Sequence, residues 1–341
     1  MEHDWLLYLA IFACAFGVSL LVTPYTKQWS QKLGAVDYPR YRGMHTEPIP
    51  RMGGLAIVMG FLVALGIAAL FMTDMRTGQL LGFIGGLVII VIAGMLDDIF
   101  TLSPKAKAAV QIIAAILAVS SGIRITFVHY PFEAVFDWLS YPITLVWIVG
   151  ITNAVNIIDG LDGLAAGVSA IAAVCLFILC FLSGSVTAVA LSAALAGSCL
   201  GFIPRNLNPA EVIMGDTGAQ FLGYVLAVSS ILGVFKGYAI LSVFIACFAL
   251  ALPIFDTAFA MVRRMANKKS ISEADRGHLH HRLVDAGYSQ RQAVAILYAI
   301  SAISAIISIV IAMRDARAIL VAAICLLIMF LMMYVYRKRL R

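Results

Sequence analysis

Polar side chains that could bind a ligand are concentrated in an eleven-residue stretch, 153–163, that separates two long apolar runs. The stretch contains Asn153, Asn156, Asp159 and Asp162 together with two glycines. The two acids alone could form a tight turn and a helix cap, since acids are common at helix N-termini. Two amides beside them exceed what capping requires, and they suit a base, a ribose or a sugar. The alternating ligands and closing Glu of an EF-hand loop are missing.

Two further acidic sites lie where apolar runs end or begin. Asp97 and Asp98 are adjacent at the C-terminal end of one run, where the helix dipole disfavours negative charge and the two carboxylates repel each other. We therefore expect a positive group beside them, either a bound cation or Lys105 and Lys107; a solvated helix end is the alternative. Asp216 follows Gly215 at the start of another run. It could be only a helix N-cap, but glycines on each side of Asp216-Thr217 let the backbone approach a ligand closely.

The last large polar loop carries three of the six histidines within four residues, namely His278, His280 and His281, followed by Arg282. The leucine spacing predicts a short amphipathic helix that ends at Gly287. On it, one face would carry His278, His281, Arg282 and Asp285, and His280 would point away. A zinc site is an alternative, but it needs a fourth ligand and usually cysteines, which the polar loops lack. Imidazole and guanidinium donors for a pyrophosphate fit better.

Four cations complete the set of candidate binding residues. Arg51 precedes an apolar run, and helix N-termini attract anions. Lys105 and Lys107 follow the acidic pair, and Arg205 precedes Asp216. We expect these cations to bind phosphate groups, although the loop around Arg51 could also be a positive anchor at a membrane surface. Asp256, which closes another apolar run, is interpreted as a packing partner of the histidine loop.

The elements that carry these residues are predicted to be membrane helices. Of the 341 residues, 62% are hydrophobic and 12% are charged, and the mean hydropathy is +0.98. A soluble domain has about twice this charged share. The composition predicts an all-α polytopic membrane protein. Spans of about 20 residues give a bundle of about eleven transmembrane helices at 5–23, 53–72, 80–96, 104–121, 142–155, 162–183, 186–203, 217–235, 238–258, 291–313 and 316–336.

The distribution of basic residues predicts the orientation of this bundle. Nineteen of the 24 Lys and Arg residues fall on one side of the membrane in this arrangement. The positive-inside rule then places the N-terminus outside and the C-terminus in the cytoplasm. We expect a single integral membrane domain, 1–341, with its active site at the cytoplasmic face. Five polar loops share that face: 24–52, 97–107, 153–163, 204–218 and 259–291.

Carboxylates, amides and cations gathered at one membrane surface suit phosphoryl transfer. Acids beside phosphate-binding cations imply a Mg²⁺-type ion between carboxylate and pyrophosphate oxygens. Phosphoryl transfer requires mainly positioning and charge neutralisation. The sequence pattern therefore predicts a metal-dependent enzyme that acts on a phosphorylated lipid and a soluble donor, without naming either substrate.

Four motifs, in this order along the chain, resemble those of the polyprenyl-phosphate N-acetylhexosamine-1-phosphate transferases, glycosyltransferase family 4. They are Asp97-Asp98, Asn153–Gly163, Met214–Gly218 and His278–Arg282. One motif alone would be weak, but the ordered set is specific and covers about residues 35–290. The resemblance implies a helical membrane bundle with a cytoplasmic active site. It also implies transfer of a sugar-1-phosphate from a UDP-sugar to undecaprenyl phosphate, with Mg²⁺ or Mn²⁺ and release of UMP.

The resemblance also implies roles for individual residues. Asp216 would be the principal metal ligand, Asp97 would deprotonate the lipid phosphate, and Asp98 would help to hold the metal or the lipid phosphate. The pocket for nucleotide and pyrophosphate would be formed by Asn156, Asp159 and Asp162. The phosphates and sugar of the donor would face His278, His280, His281 and Arg282. The lipid phosphate would face Lys105 and Lys107. Both direct attack and an aspartyl intermediate remain open.

The branch of the family is indicated by two departures from the peptidoglycan pattern. Phospho-MurNAc-pentapeptide translocases have three consecutive histidines in the last loop and usually an aromatic residue two places before the Gly-Asp pair. Here the loop reads His278-Leu-His-His-Arg, and Ile213 occupies the other position. The departures favour the UDP-GlcNAc branch, which primes teichoic acid, enterobacterial common antigen or O-antigen. The peptidoglycan branch stays the alternative.

The implied partners are UDP-GlcNAc, undecaprenyl phosphate and the lipid bilayer of the plasma membrane. No nucleic acid is expected, and a homodimer is left open. A secondary transporter is a third hypothesis, but transporters place ionisable groups near the bilayer midplane on broken helices. Here the acids lie at the ends of the spans on one side.

Overall fold

The computed structural model describes residues 4–38, 47–72, 78–125, 133–233, 245–266 and 278–313. This part of the chain is helical apart from a short ribbon of β1 (Val36–Asp37) and β2 (Ile49–Pro50). Its helices are α1 (Asp4–Leu33), α2 (Gly54–Phe71), α3 (Gly78–Phe100), α4 (Pro104–Ser120), α5 (Glu133–Ile158), α6 (Leu164–Leu182), α7 (Val186–Asn206), α8 (Gly215–Gly233), α9 (Ala251–Ala266), α10 (Leu279–Asp285) and α11 (Gln290–Met313).

Seven of these helices are long and apolar enough to cross a membrane: α1, α2, α3, α5, α6, α7 and α11. This finding confirms the predicted class, an all-α polytopic membrane protein. The predicted span 316–336 and residues 238–244 of the span 238–258 lie outside the described residues, as does the segment 267–277 of the last polar loop.

The first helix is longer than predicted. We expected it to end at residue 23, before a non-helical loop, but α1 continues through Pro24 to Leu33. Hydroxyl groups on both sides of the proline bond carbonyls of the preceding turn: Thr23 Oγ1 donates to Ser19 O at 2.6 Å, and Ser30 Oγ donates to Thr26 O at 2.8 Å. Such side chains help membrane helices to tolerate proline.

The centre of the bundle is formed by α6, α7 and α8, which are mostly buried. Helix α7 is rich in Ala, Gly and Ser, and α1, α2, α6 and α8 all pack on it. A Cβ at Gly197 would overlap Phe12 O of α1, and one at Gly201 would overlap Phe16 O. Small residues thus let the two helix backbones approach closely, which is the usual basis of helix association in membranes.

An aromatic cluster fixes α2, α3 and α8 relative to each other. The ring of Phe61 meets that of Phe221 at a centroid distance of 5.3 Å, and Phe83 stacks on Tyr224 at 5.7 Å. Tyr224 OH also donates to Phe83 O at 3.2 Å. Edge-to-face and offset stacked pairs of this kind stabilise a core beyond the area that they bury. The cluster therefore supports the polar residues at the ends of these helices.

Backbone hydrogen bonds join the start of α2 to the start of α8. Ile213 N donates to Pro50 O at 2.9 Å, and Gly53 N donates to Ile213 O at 3.0 Å. Gly54 N donates to Met214 O at 2.9 Å, and a Cβ at Gly54 would overlap backbone atoms of Gly218. This junction brings two loops that are far apart in sequence into one unit.

Candidate active site

Three carboxylates meet where the end of α3 reaches the beginning of α8. They belong to Asp97 and Asp98 on α3 and to Asp216 in the first turn of α8. A Cβ at Gly94, one turn before Asp97, would overlap the backbone of Thr217. The two helices therefore touch through backbone at this point, and the acids are held at short range.

The Asp98 carboxylate accepts hydrogen bonds from the N-terminus of α8. Its side chain is 0% exposed. Oδ1 accepts the N–H of Asp216 at 2.8 Å, while Oδ2 accepts the N–H of Thr217 at 3.1 Å and the Thr217 hydroxyl at 2.6 Å. The N–H groups of a first helical turn have no partner within the helix, so a carboxylate from a neighbouring helix can satisfy them. This geometry makes Asp98 a residue that positions Asp216.

Asp97 is held by the chain reversal that follows it. Its Oδ1 accepts the N–H of Leu102 at 2.6 Å, and its Oδ2 contacts Lys107 Nζ. The reversal is made by Thr101, which has a φ of 56°. A β-branched residue rarely adopts this left-handed conformation, which costs on the order of 1–2 kcal/mol. The backbone strain therefore lies next to a carboxylate that it helps to orient.

Asp216 is the most exposed of the three carboxylates, at 15% of its side chain. Lys107 Nζ lies 2.9 Å from its Oδ1, and Arg51 Nη2 lies 3.3 Å from its Oδ2. Arg51 Nε is also 3.7 Å from Asp98 Oδ1. Lys107 thus joins Asp97 to Asp216, and Arg51 joins Asp98 to Asp216. Of the two lysines expected to offset the acidic pair, Lys107 does so, and Arg51 supplies the second positive charge in place of Lys105, which is exposed.

The donor set suits a hard divalent cation. No three His, Cys, Asp or Glu side chains within the described ranges form a ready cage for a metal ion. Mg²⁺ does not need one, because it is usually held by one or two carboxylates together with substrate phosphates. Asp97 and Asp216 already direct one oxygen each to a single positive charge, the ammonium group of Lys107. These two carboxylates therefore fit a Mg²⁺ or Mn²⁺ ion shared with a phosphorylated substrate.

The turn 159–163 is fixed by residues from three other parts of the chain. Asp162 Oδ2 accepts from Asn208 Nδ2 at 2.9 Å and from Ala210 N at 3.2 Å. Gly163 has a φ of 79°; its N–H donates to the Asn206 side chain, and its carbonyl accepts from Tyr298 OH at 2.6 Å. Asp162 therefore connects this turn to the loop before α8 through hydrogen bonds.

Asn156 and Asp159 are partly exposed at the end of α5 and in the turn, where a ligand could reach them. Although the residue is partly exposed, loss of water around its carboxyl group raises the pKa of Asp159 to about 8, and the negative charges of Asp216 and Asp98 contribute to this shift. Asp159 therefore lies within electrostatic reach of the carboxylates on α3 and α8. A cationic ligand or a proton would relieve the repulsion.

The histidine segment is arranged differently from the prediction. His278 is the N-cap of α10 and has an extended backbone, so the helical periodicity that placed it on the face of His281 does not apply to it. The prediction that His280 points away was wrong. His278 and His280 are both buried, with parallel rings 5.8 Å apart, and a Cβ at Gly160 would overlap the His280 ring. The segment thus packs against the turn 159–163.

Asp256 on α9 holds the start of this segment. Its Oδ2 lies 2.9 Å from His278 Nδ1, and its Oδ1 accepts the N–H of Leu279 at 2.8 Å. The interpretation of Asp256 as a packing partner of the histidine loop is confirmed. His281 lies beside His280, with ring centroids 4.2 Å apart, whereas Arg282 is exposed.

Other predicted site residues are not joined to the carboxylates by a direct contact. Lys105 is exposed. Arg205 forms an exposed ion pair with Glu211 at 2.9 Å. The structure therefore brings together Asp97, Asp98, Asp216, Lys107 and Arg51, with Asp159 in electrostatic range, and places Lys105, Arg205 and Arg282 nearer to solvent. The roles assigned to all of them stay predictions.

The sequence analysis did not predict the buried residues that hydrogen-bond to the site residues and support them. Thr217 and Asn206 make buried hydrogen bonds to Asp98 and to the turn 159–163. The signal for Thr217 was its place beside Asp216 in a Gly-Asp-Thr-Gly run. Asn206 is in a stretch with Asn208, and an amide beside a turn usually serves the backbone.

Comparison with known proteins identifies a family model that matches the middle of the chain. The model of the family described as Glycosyl transferase family 4 matches residues 80–234, from the start of α3 to the end of α8. The matched segment contains the three clustered carboxylates and the turn 159–163. It does not include Arg51 or the histidine segment.

Relatives over most of the chain point to the same family. A probable undecaprenyl-phosphate N-acetylglucosaminyl 1-phosphate transferase of Bacillus subtilis is 41% identical over 303 residues, covering 87% of this chain and 84% of the relative. A decaprenyl-phosphate N-acetylglucosaminephosphotransferase of Mycobacterium tuberculosis is 36% identical, covering 90% of this chain and 84% of the relative.

An undecaprenyl-phosphate alpha-N-acetylglucosaminyl 1-phosphate transferase of Yersinia pestis is 28% identical over 314 residues, covering 89% of this chain and 83% of the relative. The similarity to all three relatives extends well beyond the segment that the family model matches. This similarity, together with the ordered motifs and the coverage of more than four fifths of each chain, shows that the chain belongs to glycosyl transferase family 4.

Proposed function

We propose that this protein transfers GlcNAc-1-phosphate from UDP-GlcNAc to undecaprenyl phosphate, giving undecaprenyl-pyrophosphate-GlcNAc and UMP. The names of the relatives in Bacillus and Yersinia support the acceptor and the transferred group. The structural observation that carries the proposal is the convergence of Asp97 and Asp216 on Lys107 Nζ, beside Arg51. Clustered carboxylates and cations are what a transfer between two phosphorylated substrates requires.

The reaction exchanges one phosphoanhydride bond for another. An oxygen of the lipid phosphate attacks the β-phosphorus of UDP-GlcNAc, the bond from that phosphorus to the bridging oxygen breaks, and UMP leaves with the bridging oxygen. Asp97 would accept the proton of a protonated lipid phosphate, and its orientation is fixed by the Leu102 N–H. An aspartyl intermediate would instead require two successive displacements.

Lys107 and Arg51 would neutralise the substrate phosphates. Without substrate, these two cations form ion pairs with Asp97, Asp98 and Asp216. Asp216 would hold Mg²⁺ or Mn²⁺ together with Asp97, which contacts the same ammonium group, while the predicted ligand Asp98 would first have to release Thr217. Such an ion would supply charge neutralisation on the pyrophosphate oxygens.

The remaining predicted residues would complete the donor site. Asn156 and Asp159 are partly exposed, and His280 packs on Gly160 of the turn 159–163 with the rings of His278 and His281 beside it. Arg282, Arg205 and Lys105 would contribute charge from more exposed positions. We further propose that the active site faces the cytoplasm of a plasma-membrane bundle of about eleven spans, with the whole chain as one domain. Its product would prime an envelope polymer such as teichoic acid, common antigen or O-antigen.

The proposal is tested by release of UMP from the purified protein. UDP-GlcNAc with undecaprenyl phosphate and Mg²⁺ should give UMP, whereas UDP-MurNAc-pentapeptide should not. Asp97→Asn and Asp216→Asn should each lower kcat by about 10²-fold or more, as expected when a preorganised charge is removed. Glu47→Gln, which changes an exposed acid, is the matched control. Full turnover by both variants would refute the site assignment, and a preference for the pentapeptide donor would move the protein to the peptidoglycan branch.

A further inference from the structure

Asp256 and His278 form a buried acid–imidazole pair that the proposed reaction does not yet use. Their side chains are 6% and 8% exposed. Asp256 lies on α9 and His278 precedes α10, so the pair joins two elements separated by a polar segment. A carboxylate removed from water at this depth needs firm hydrogen bonds. Asp256 has them, one to each carboxylate oxygen.

The hydrogen bond from Leu279 determines how the imidazole is used. Because Oδ1 of Asp256 accepts the Leu279 N–H, Oδ2 is left as the acceptor for His278. An ionised carboxylate can only accept a hydrogen bond, so His278 Nδ1 must carry the proton. The other ring nitrogen, Nε2, is then the atom with which His278 can meet a ligand. A carboxylate in this place fixes the tautomer and the ring orientation.

The position of the ring connects this pair to the donor side of the site. His278 stacks on His280, and His280 packs on Gly160 in the turn that carries Asp159. The pair is therefore one ring removed from the turn proposed to hold the nucleotide. With the proton on Nδ1, Nε2 carries a lone pair and accepts a hydrogen bond from an N–H or O–H group. A nucleotide-sugar donor offers such groups in its sugar and ribose hydroxyls and its amide N–H.

We propose that Asp256 is a positioning residue, which holds the proton of His278 on Nδ1 and thereby presents Nε2 as a hydrogen-bond acceptor to a hydroxyl or amide N–H of the nucleotide-sugar donor. The inference deepens the proposed function and rests on it for the identity of the ligand. Asp256 acts through His278 and does not touch the substrate. By accepting the Leu279 N–H, it also sets the direction of α10.

The discriminating variant is Asp256→Asn. Asparagine can still accept the Leu279 N–H with its oxygen, but it then offers an N–H to His278 Nδ1. The proton of the imidazole is expected to move to Nε2 while the packing is kept. The protein is labelled with ¹⁵N and ¹³C histidine, reconstituted in bilayers at pH 8.5 and studied by solid-state NMR. Nδ1 correlates with ring carbon Cγ and Nε2 with Cδ2, so the protonated nitrogen can be identified.

The parent protein should show one histidine protonated on Nδ1 whose signal disappears in His278→Gln. In Asp256→Asn that signal should change to the Nε2-protonated form. The KM for UDP-GlcNAc should rise about 10-fold or more, the usual scale for loss of such a supporting carboxylate. The change in kcat should be smaller. Asp285→Asn, an exposed acid on the same helix, is the control and should leave both readouts unchanged.

Two results would overturn the inference. One is a His278 signal protonated on Nε2 in the parent protein, a measurement that needs no folded variant. The other is an Asp256→Asn protein with an altered tautomer but an unchanged KM. Failure of the proposed function has a different signature. If the parent protein releases no UMP from UDP-GlcNAc, the tautomer measurement still decides the role of Asp256 toward His278.

Discussion

Asp98 and Asp216 are both carboxylates at the start of α8, but their surroundings assign them opposite tasks. Asp98 has no exposed side-chain surface, and each of its oxygens accepts a hydrogen bond from the first turn of the helix. Asp216 is partly exposed and faces the two cations Lys107 and Arg51. Asp98 therefore stabilises the N-terminus of α8. Asp216, in the first turn of that helix, is left accessible to a ligand.

Substituting Asp98 should mainly affect stability. In Asp98→Asn, one acceptor oxygen is replaced by an NH₂ group that faces N–H donors of Asp216 or Thr217. A buried donor without an acceptor costs about 1–3 kcal/mol. We expect a lower midpoint of thermal unfolding in detergent. Glu211→Gln, which removes an exposed ion pair, should change the midpoint little. Equal midpoints for Asp98→Asn and the parent protein would contradict the structural role.

His280 makes the protein sensitive to acid. Burial, together with the neighbouring His281, lowers the pKa of His280 to about 4 from its ordinary 6.5. Between these pH values the unfolded chain binds a proton that the folded protein does not, so the free energy of unfolding falls as the pH is lowered from 6.5 towards 4. His280→Gln should lose less stability than the parent between pH 7 and pH 5. Thermal unfolding at the two pH values measures this, and identical losses would argue against a buried neutral imidazole.

At the scale of the helix, close backbone contact brings the site together. The start of α2 lies on the start of α8 through Gly54 and Gly218, and α3 meets α8 through Gly94 and Thr217. Helices with larger residues at these positions would stand further apart. Arg51, Asp98 and Asp216 could then no longer share hydrogen bonds.

Gly54→Ala should therefore damage both the fold and the site. The added methyl group would overlap backbone atoms of Gly218, which cannot rotate away. Overpacking of this kind costs about 1–3 kcal/mol, and a displaced α2 would carry Arg51 away from Asp216. Thermal unfolding and UMP release should both decline.

Gly66→Ala in the same helix is the matched control for this substitution. A Cβ at Gly66 meets nothing within 4 Å. Because Ala favours a helix over Gly by about 1 kcal/mol, this variant should be as stable as the parent or more stable, with normal activity. A similar loss in both variants would show that α2 tolerates no substitution, and not that the crossing at Gly54 is special.

Sequence periodicity predicted the helices better than their contacts. The predicted spans 53–72, 104–121 and 186–203 correspond to α2, α4 and α7 within a few residues. Apolar length alone fixes such boundaries. The helical residues after Pro24 were missed because that part of α1 is polar and relies on hydroxyl-to-carbonyl bonds. The N-cap position of His278 was missed because it depends on Asp256, more than twenty residues away.

The same limit applies to the site. The acids, Lys107 and Arg51 could be chosen from their types and places at span ends. The sequence could not predict that the Asp98 carboxylate would accept the N–H groups at the start of α8, because this depends on how α3 and α8 cross. A single sequence records which residues are unusual in a membrane helix, and packing decides which of them stay accessible.

For the whole molecule, the distribution of charge predicts an orientation in the membrane. The excess of Lys and Arg on one set of loops predicts that the C-terminus is in the cytoplasm and the N-terminus is outside. Green fluorescent protein fused after Arg341 should be fluorescent, and alkaline phosphatase at the same point should be inactive. A cysteine in place of Glu2 should react with an impermeant maleimide in intact cells. Active phosphatase at the C-terminus would reverse the assigned face.

The backbone hydrogen bonds between residues 50–54 and 213–214 limit how much of the chain could be removed without loss of activity. A chain trimmed to residues 80–234, the stretch that the family model matches, would keep Asp97, Asp98 and Asp216. It would lose Arg51 and leave the backbone of Ile213 and Met214 without its partners. The segment that the family model matches, a little under half of the chain, thus depends on residues before it that the model does not match. The smallest independently working version must begin upstream of β1, where Ser30 receives the N–H of Met52.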